Sequence, residues 1–549
     1  MKKYRIIIPS WAPLNAEMQA ETGCLYPAFV QLGGRPLYAH IINSYQNIKK
    51  DAEIVVVLPE NSPELNFKYL DGFHVQLIRL SESRNIGQTV LAAMDGLNPE
   101  QAIVIHMADT LVEHLEISSV ENNILYVQLR SDIYRWTSVR VGEAGAVRVV
   151  TDRDHLSAGI ESTVCVGVFL FSNGMQFTDH LRSALAEPKL TMDPFFKAIE
   201  NYSNQHSIEL KKISSWHDFG HLDSYYESRL NYQNLRHFNT LTYDAERGLV
   251  TKRSVNVEAY RHQIRWFKQV PDELAWFLPR IYESDDGEVP YITMELLSLP
   301  TVSDLFLNKR LDVGAWNYLV QKIRLIQTAF QKYRFNCSIG KQIATEIYVE
   351  KTKNRIVQFL EQQQGARNFW IRRAGKKITL NEVIITLIDY AESNGLLELD
   401  ALSPIHGDMC FSNLMYDPRT RHIKLIDPRG EFGVPGIYGD VRYDKAKLMH
   451  SYEGSYDFII ASQFNVAVSS DGEISCVIER SEYHDQVAKI FNKEIFENLR
   501  DHRQCDAIQG LLFLSMLPLH SDHPERQLAM LYLGLDIYAR NFDEPWSKK

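Results

Sequence analysis

This 549-residue sequence has no run of the roughly 18 apolar residues that a membrane-spanning helix needs, so no membrane span is expected. Cysteine is scarce. The six, Cys24, Cys165, Cys337, Cys410, Cys476 and Cys505, show no metal-ligand spacing, which argues against a disulfide framework and reads as reduced thiols in a cytoplasmic protein. Positive charge is in deficit, with 59 Lys and Arg against 69 Asp and Glu and a net charge of −10. No basic excess is left to neutralise a phosphate backbone, so a nucleic-acid partner is not expected. Low-complexity tracts and solenoid-period repeats are missing. The start, Met1-Lys2-Lys3-Tyr4, is basic, but the apolar run after it is too short for a secretory signal and reads as a first β-strand.

What is present is ordinary for soluble globular proteins: 45% hydrophobic and 23% charged residues. The length allows two to four domains, each with its own core.

The most informative stretch runs from 403 to 430. It reads Ser403-Pro404-Ile405-His406-Gly407-Asp408, then Asn413 five residues on, then an apolar strand ending in Ile426-Asp427-Pro428-Arg429-Gly430. The pattern predicts loop, strand, turn, strand, with oxygen- and proton-handling side chains at the bends. Phosphoryl transfer from a nucleoside triphosphate needs a carboxylate to orient and deprotonate the accepting hydroxyl, and oxygen ligands to hold Mg²⁺ on the phosphates. Asp408 suits the first role; Asn413 and Asp427 suit the second.

His-x-Asp-x-x-x-x-Asn followed by apolar residues and Asp resembles the catalytic and metal loops of the kinase superfamily. The form His406-Gly407-Asp408 with Ile426-Asp427-Pro428-Arg429 looks like the aminoglycoside phosphotransferase and choline kinase branch, which phosphorylates small molecules. That resemblance implies a bilobal kinase-like domain over 234–549, with a small lobe at 234–300 and a helical lobe at 301–549, using ATP and Mg²⁺.

Upstream, hairpin strands are expected at 240–243 and 249–253, and Lys252 stands where kinase-like folds place the lysine that grips the α- and β-phosphates. An amphipathic helix at 257–270 offers Glu258 or Gln263 as its partner. The strand at 290–297 resembles the hinge that meets adenine, with Glu295 and Leu297 as contact positions. No Gly-rich loop of the protein-kinase type is present, an absence this branch often shows. Helices are expected at 316–333, 343–363 and 380–394 from apolar residues at three- and four-residue steps. The basic residues Lys351, Lys353, Arg355, Arg367, Arg372, Arg373, Lys376 and Lys377 either form a solvated face or attract an anionic substrate. In the resembling family an Asp after the metal loop tethers the catalytic loop; Asp440 and Asp444 both qualify. His450-Ser451-Tyr452 and His520-Ser521-Asp522 are polar clusters that either satisfy one another or shape an acceptor pocket.

The first 233 residues alternate strands (5–9, 52–58, 75–80, 102–106, 164–171) with helices (37–47, 87–97, 177–186), implying an α/β domain with a mostly parallel, helix-covered sheet. Ligands of such sheets sit at the carboxyl ends of strands. Asp109, after the strand at 103–106, and Asp218, after the strand-like 208–213, would hold Mg²⁺ against a nucleotide diphosphate. The segments 6–9, Pro27, Gly33-Gly34-Arg35-Pro36-Leu37, Gly87-Gln88-Thr89, Ala108-Asp109, Val166-Gly167-Val168-Phe169 and Asp218-Phe219-Gly220 resemble sugar-phosphate nucleotidyltransferases of the GT-A-like, Rossmann-like fold. The resemblance makes Gly87 and Gln88 nucleotide contacts and Asp109 and Asp218 metal ligands. Two parts of that family's pattern are missing. The segment 10–18 contains no glycine, whereas backbone amides close to a triphosphate need glycine's missing Cβ. Its phosphate-stabilising Pro-Lys is Pro27-Ala28 here.

The two resemblances imply a phosphotransferase acting on a small hydroxyl-bearing metabolite (sugar, amino alcohol or polyol), as in bacterial capsule or surface-glycan biosynthesis. The first domain either activates the product as a nucleotidyltransferase, serves as a degenerate nucleotide- or sugar-binding module, or transfers a sugar from a nucleotide sugar. A non-enzymatic scaffold of both folds is the remaining alternative.

Overall fold

Strand β1 (Tyr4–Pro9) shows how the first half of the chain is built: all six of its residues are buried. It lies between β2 (Ala52–Pro59) and β4 (Ala102–His106), parallel to both, with Ile6 opposite Ile54 on one side and Val104 on the other. Alternate side chains of a strand point to opposite faces. Accordingly Ile6, Ile8, Ile54, Val56 and Val104 join one core, and Ile7, Val55, Val57, Ile103 and Ile105 join a second on the other face. A sheet buried on both faces reads as continuous Ile/Val runs, which is what these strands show. Each such side chain contributes about 1.5–3 kcal/mol of burial free energy.

The structure is a computed structural model and describes residues 3–32, 35–70, 72–113, 115–117, 121–130, 136–142, 146–150, 162–187, 192–222, 224–225, 228, 239–244, 247–297, 299–521 and 523–543. Gly33, Gly34 and Asp522 lie outside the described residues, as does the segment around the expected boundary at 233. Two compact units divide the chain, Met1–Gln233 and Asn234–Lys549.

In the first unit α1 (Leu37–Asn43) follows β1, then β2, β3 (Val75–Leu80), α2 (Ile86–Ala92), β4 and β5 (Thr110–Val112). The chain continues through β6 (Ile124–Arg130), β7 (Ser138–Val141), β8 (Val147–Val150), β9 (Ser162–Phe171), α3 (Gly174–Ala186), α4 (Pro194–Ser203), β10 (Glu209–Lys212) and β11 (Trp216–Asp218). The nine-stranded sheet runs β8-β7-β9-β4-β1-β2-β3, with β6 pairing β9 and β10. It is parallel from β4 through β1 and β2 to β3, as expected, and mixed beyond, where β9 is antiparallel to both β4 and β6. The strand expected at 208–213 is the short β10, and Asp218 does not follow it directly. Asp218 ends a strand of its own, β11, which pairs antiparallel with β5 so that Asp218 stands opposite Thr110.

The second unit begins with an antiparallel sheet of β12 (Asn239–Asp244), β13 (Leu249–Ser254), β14 (Ile281–Asp285) and β15 (Tyr291–Glu295), in the order β12-β13-β15-β14. Helix α5 (Val257–Gln269) follows β13 and is capped by Asn256, whose side chain accepts from the Ala259 amide. Then come α6 (Val313–Gln331), a π-helical turn over Thr345–Glu350 running into α7 (Lys351–Gln362), and α8 (Leu380–Ser393). The single helix expected at 343–363 is therefore interrupted by a wider turn, a feature frequent at functional sites. After β16 (Ala401–Pro404) the hairpin β17 (Leu414–Asp417) and β18 (His422–Leu425) lead to α9 (Val441–Tyr452), α10 (Leu499–Met516) and α11 (Pro524–Asp543). Every residue of α9 from Arg442 to Tyr452 is buried, so this helix forms the floor under the 403–430 stretch. Among the described residues no helix is long and apolar enough to cross a membrane.

Candidate functional sites

In the second unit the loop after β16 and the loop after β18 are stitched together by backbone hydrogen bonds. The Arg429 amide donates to His406 O at 2.8 Å and the Ile426 amide to Asn413 O at 3.0 Å. Three residues take left-handed backbone: Gly407 at φ +77°, Asp427 at +58° and Gly430 at +81°. A non-glycine residue in that region costs energy and is found where the surroundings over-determine it, commonly at functional sites.

Asp408 projects into this junction. Lys447 of α9 places its ammonium 2.9 Å from Asp408 Oδ1, and the Arg429 guanidinium lies 3.9 Å from Oδ2. Burial alone would raise the Asp408 carboxyl, but the two cations outweigh it and hold Asp408 well below the usual carboxylate range. His406 is fully buried, and burial pushes it down to about 4, so it is a neutral imidazole at ordinary pH. The tether is Asp444: Oδ2 accepts from the His406 amide at 2.7 Å and Oδ1 from the Gly407 amide at 2.8 Å. Asp440, the other candidate, caps α9 and takes Arg442 and the Tyr348 hydroxyl instead. Asn413 donates Nδ2 to Asp408 O at 2.8 Å, which leaves its Oδ1 as the available donor atom toward a cation.

Lys252 of β13 is 5% exposed, and its ammonium lies 2.5 Å from Asp427 Oδ1. Neither Glu258 nor Gln263 meets it. Glu258 pairs with Arg261, one turn on along the exposed face of α5. Gln263 turns inward and donates to Pro428 O at 3.0 Å, while Trp266 donates to Ile405 O at 2.8 Å. Helix α5 thus buttresses both loops with neutral side chains, and Asp427 takes the position opposite Lys252. Glu295, at the end of β15, pairs with Lys424 of β18 at 3.3 Å, and Leu297 follows it on the connection out of the sheet. Asn413 and Asp427 are hard oxygen donors suited to Mg²⁺. Among the described residues no three His, Cys, Asp or Glu side chains converge. A cation there would fill its remaining positions with phosphate and water oxygens, as Mg²⁺ commonly does.

In the first unit Asp109 and Asp218 do come together. A Cβ added to Gly220 would sit 3.1 Å from Asp109 Oδ2 and 3.4 Å from Asp218 Oδ1, so both carboxylates crowd one glycine. His221 Nδ1 lies 2.9 Å from Asp218 Oδ2. Burial first, then the Asp218 charge, push Asp109 up to about 6. Two carboxylates held against mutual repulsion fit a hard divalent cation. Asn15 caps the helix that starts at Ala16 and donates to Gly220 O at 3.0 Å, tying the glycine-free segment to this corner.

A cavity of about 200 Å³ adjoins Asp218, walled by Trp136, Trp216, Gln128, Arg130 and Ser215. The two indoles meet edge to face at 4.7 Å, and both Nε1 donors are buried with no hydrogen-bond partner among the described residues. Sequence reading missed this wall, because Trp136 belongs to no periodic segment.

Gly87 and Gln88 lie in the first turn of α2. A Cβ at Gly87 would meet Leu181 of α3 and the Phe195 amide of α4 at 3.3 Å, so the glycine allows helices to pack closely. The Gln88 amide donates to the Asn85 cap and the Ile86 amide to Asp193. These amides at the start of α2 are already satisfied within the protein.

No protein-family model and no curated protein matches this sequence. Among solved structures, the nucleoside-diphosphate-sugar pyrophosphorylase from Vibrio cholerae RC9 aligns at 17% identity over 41% of this chain and 99% of its own, with a TM-score of 0.34. The inositol-1-phosphate CTP transferase from T. maritima aligns at 16% identity over 43% of this chain and 97% of its own, with a TM-score of 0.32.

Proposed function

We propose that the second unit transfers the γ-phosphoryl group of ATP to a hydroxyl of a small metabolite. The observation that carries this reading is the joining of Asp408, Asn413, Asp427 and Lys252 at one place from three separate segments, the loop after β16, the loop after β18 and strand β13. In the step, the acceptor oxygen bonds to Pγ, the bond from Pγ to the bridging oxygen breaks, and ADP leaves with that electron pair. The acceptor proton passes to Asp408. A carboxylate held ionised by Lys447 and Arg429 is a weak base, so its main work is orienting the hydroxyl, taking the proton late in a loose transition state. Lys252 supplies positive charge to the phosphates, and Asn413 and Asp427 would hold Mg²⁺, whose chemistry is to neutralise charge on the phosphate oxygens.

In the first unit the Asp109–Asp218 pair would hold a divalent cation, and the aromatic cavity beside it suits a sugar or sugar phosphate attached to a nucleotide. Stacking on indole faces and donation from indole N–H groups are the interactions such a ligand offers partners for. The kinase product, a phosphate monoester, is what a nucleotidyl transfer consumes, and on this reading the two units serve one cytoplasmic route to an activated sugar for surface glycans.

The test is ADP release from ATP and Mg²⁺ over a panel of sugars, polyols and amino alcohols. Acceptor-dependent release in the wild type that vanishes in Asp408→Ala supports the reading. Equal release by both proteins contradicts it.

A further inference from the structure

Around Asp408 the positive charge exceeds what the carboxylates can balance. Lys447 and Arg429 share Asp408, and Asp444 is taken up by two backbone amides. Lys351, at the start of α7 just after the π-helical turn, lies with its ammonium 6.0 Å from the centre of the Tyr443 ring of α9. Arg355, one turn further along α7, donates only to Gln358 among the described residues. Neither Lys351 nor Arg355 has a carboxylate within ion-pair distance among those residues. Three other basic residues of this region are neutralised elsewhere: Arg372 by Glu473, Arg373 by Asp536, Lys376 by Asp543.

The cations feel one another. Tyr443 favours the charged form of Lys351, but burial and the fields of Arg429, Lys447 and Arg355 bring that ammonium below its ordinary value. Burial would raise the Tyr443 phenol; Lys351, Arg429 and Lys447 outweigh it and bring the phenol below its ordinary value. A cleft opens beside Lys351 and Tyr443, its other walls mostly apolar, from Ile347, Ile508, Leu511 and Leu512. Its enclosed part is about 10 Å³, the room of a single water, so a ligand group would be held at its mouth.

We infer that Lys351, Arg355 and the face of Tyr443 form an anion-binding subsite beside Asp408, and that the phosphate acceptor is a hydroxyl compound carrying its own carboxylate or phosphate. This rests on the phosphotransfer reading and narrows it: a cationic amino alcohol would meet four cations here, whereas a sugar acid or sugar phosphate would neutralise them. Its charge also fixes which hydroxyl faces Asp408, because the anion anchors one end of the molecule.

The test is calorimetric titration of inorganic phosphate into the full-length protein at constant ionic strength. The wild type, Lys351→Gln/Arg355→Gln and the charge-preserving Lys351→Arg are compared. The subsite predicts at least tenfold weaker phosphate binding in the double variant, near-normal binding in Lys351→Arg, and no heat from choline. Equal affinity in the double variant, no phosphate binding by the wild type, or binding of choline overturns it. Turnover then separates the acceptors: glycerate should support ADP release where glycerol does not, and preference for glycerol overturns the inference. The phosphotransfer reading has its own readout, ATP–Mg²⁺ binding that weakens in Lys252→Met. A phosphate site lost in the double variant, in a protein that binds no ATP, removes that reading and leaves the anion site standing.

Discussion

Asp444 holds the His406 and Gly407 amides with its two carboxylate oxygens, at 2.7 and 2.8 Å. One buried side chain on α9 thereby sets the path of the loop that presents Asp408. Asp444→Asn keeps the shape but offers one acceptor and turns an NH₂ toward a backbone N–H. The expected cost is about 1–3 kcal/mol of stability, the penalty of a buried unsatisfied donor, with a fall in kcat exceeding any change in the KM for ATP. Denaturant unfolding and steady-state kinetics measure both.

Lys252→Met should lower phosphoryl transfer by about a hundredfold or more, since a cation facing developing phosphate charge is removed. The fold should survive, because Met replaces most of the buried stem and Asp427, whose side chain is 42% exposed, stays solvated. Single-turnover rates with matched thermal midpoints check this.

Gly430 approaches α5 so closely that a Cβ would lie 1.9 Å from His262 O, at φ +81°. Gly430→Ala must move the loop after Asp427 away from α5 or strain both. We expect a loss of about 3 kcal/mol or more, from left-handed backbone plus overpacking, read as a lower denaturation midpoint together with weaker ATP binding.

How much of this could be read from the sequence differs between the two units. The Ile/Val runs of β1, β2 and β4 announce strands buried on both faces, and the spacing of Asp408, Asn413 and Asp427 announces loops around one point. Lys447 was invisible because it comes from a helix 39 positions beyond Asp408; only its place one turn past Asp444 on α9 offered a signal. The sequence leaves the partner of Lys252 open between Glu258 and Gln263 for a related reason. Glu258 looked suitable by charge, but the amphipathic pattern of α5 turns Gln263 inward and leaves Glu258 on the solvent side. Tertiary pairing, not local pattern, decided both.

Asp109 provides a pH test in the first unit. Its carboxyl is raised from 3.8 to about 6 in the folded protein, so the stability it lends is fully present below about pH 4 and is lost as pH rises through about 6. Asp109→Asn should therefore stabilise the metal-free protein at pH 7.5, by up to about 3 kcal/mol. Mg²⁺ should raise the wild-type melting temperature at pH 7.5 and hardly at pH 5, where protons compete for the pair. An equal Mg²⁺ effect at both pH values, or one unchanged in Asp109→Asn, contradicts the cation site.

The most direct measurement follows label from [γ-³²P]ATP into an added acceptor, with wild type and Asp408→Asn compared at equal fold stability. The account predicts acceptor-bound label in the wild type and at least a hundredfold slower transfer in the variant, about 3 kcal/mol of transition-state stabilisation. Transfer by Asp408→Asn at the wild-type rate would contradict it.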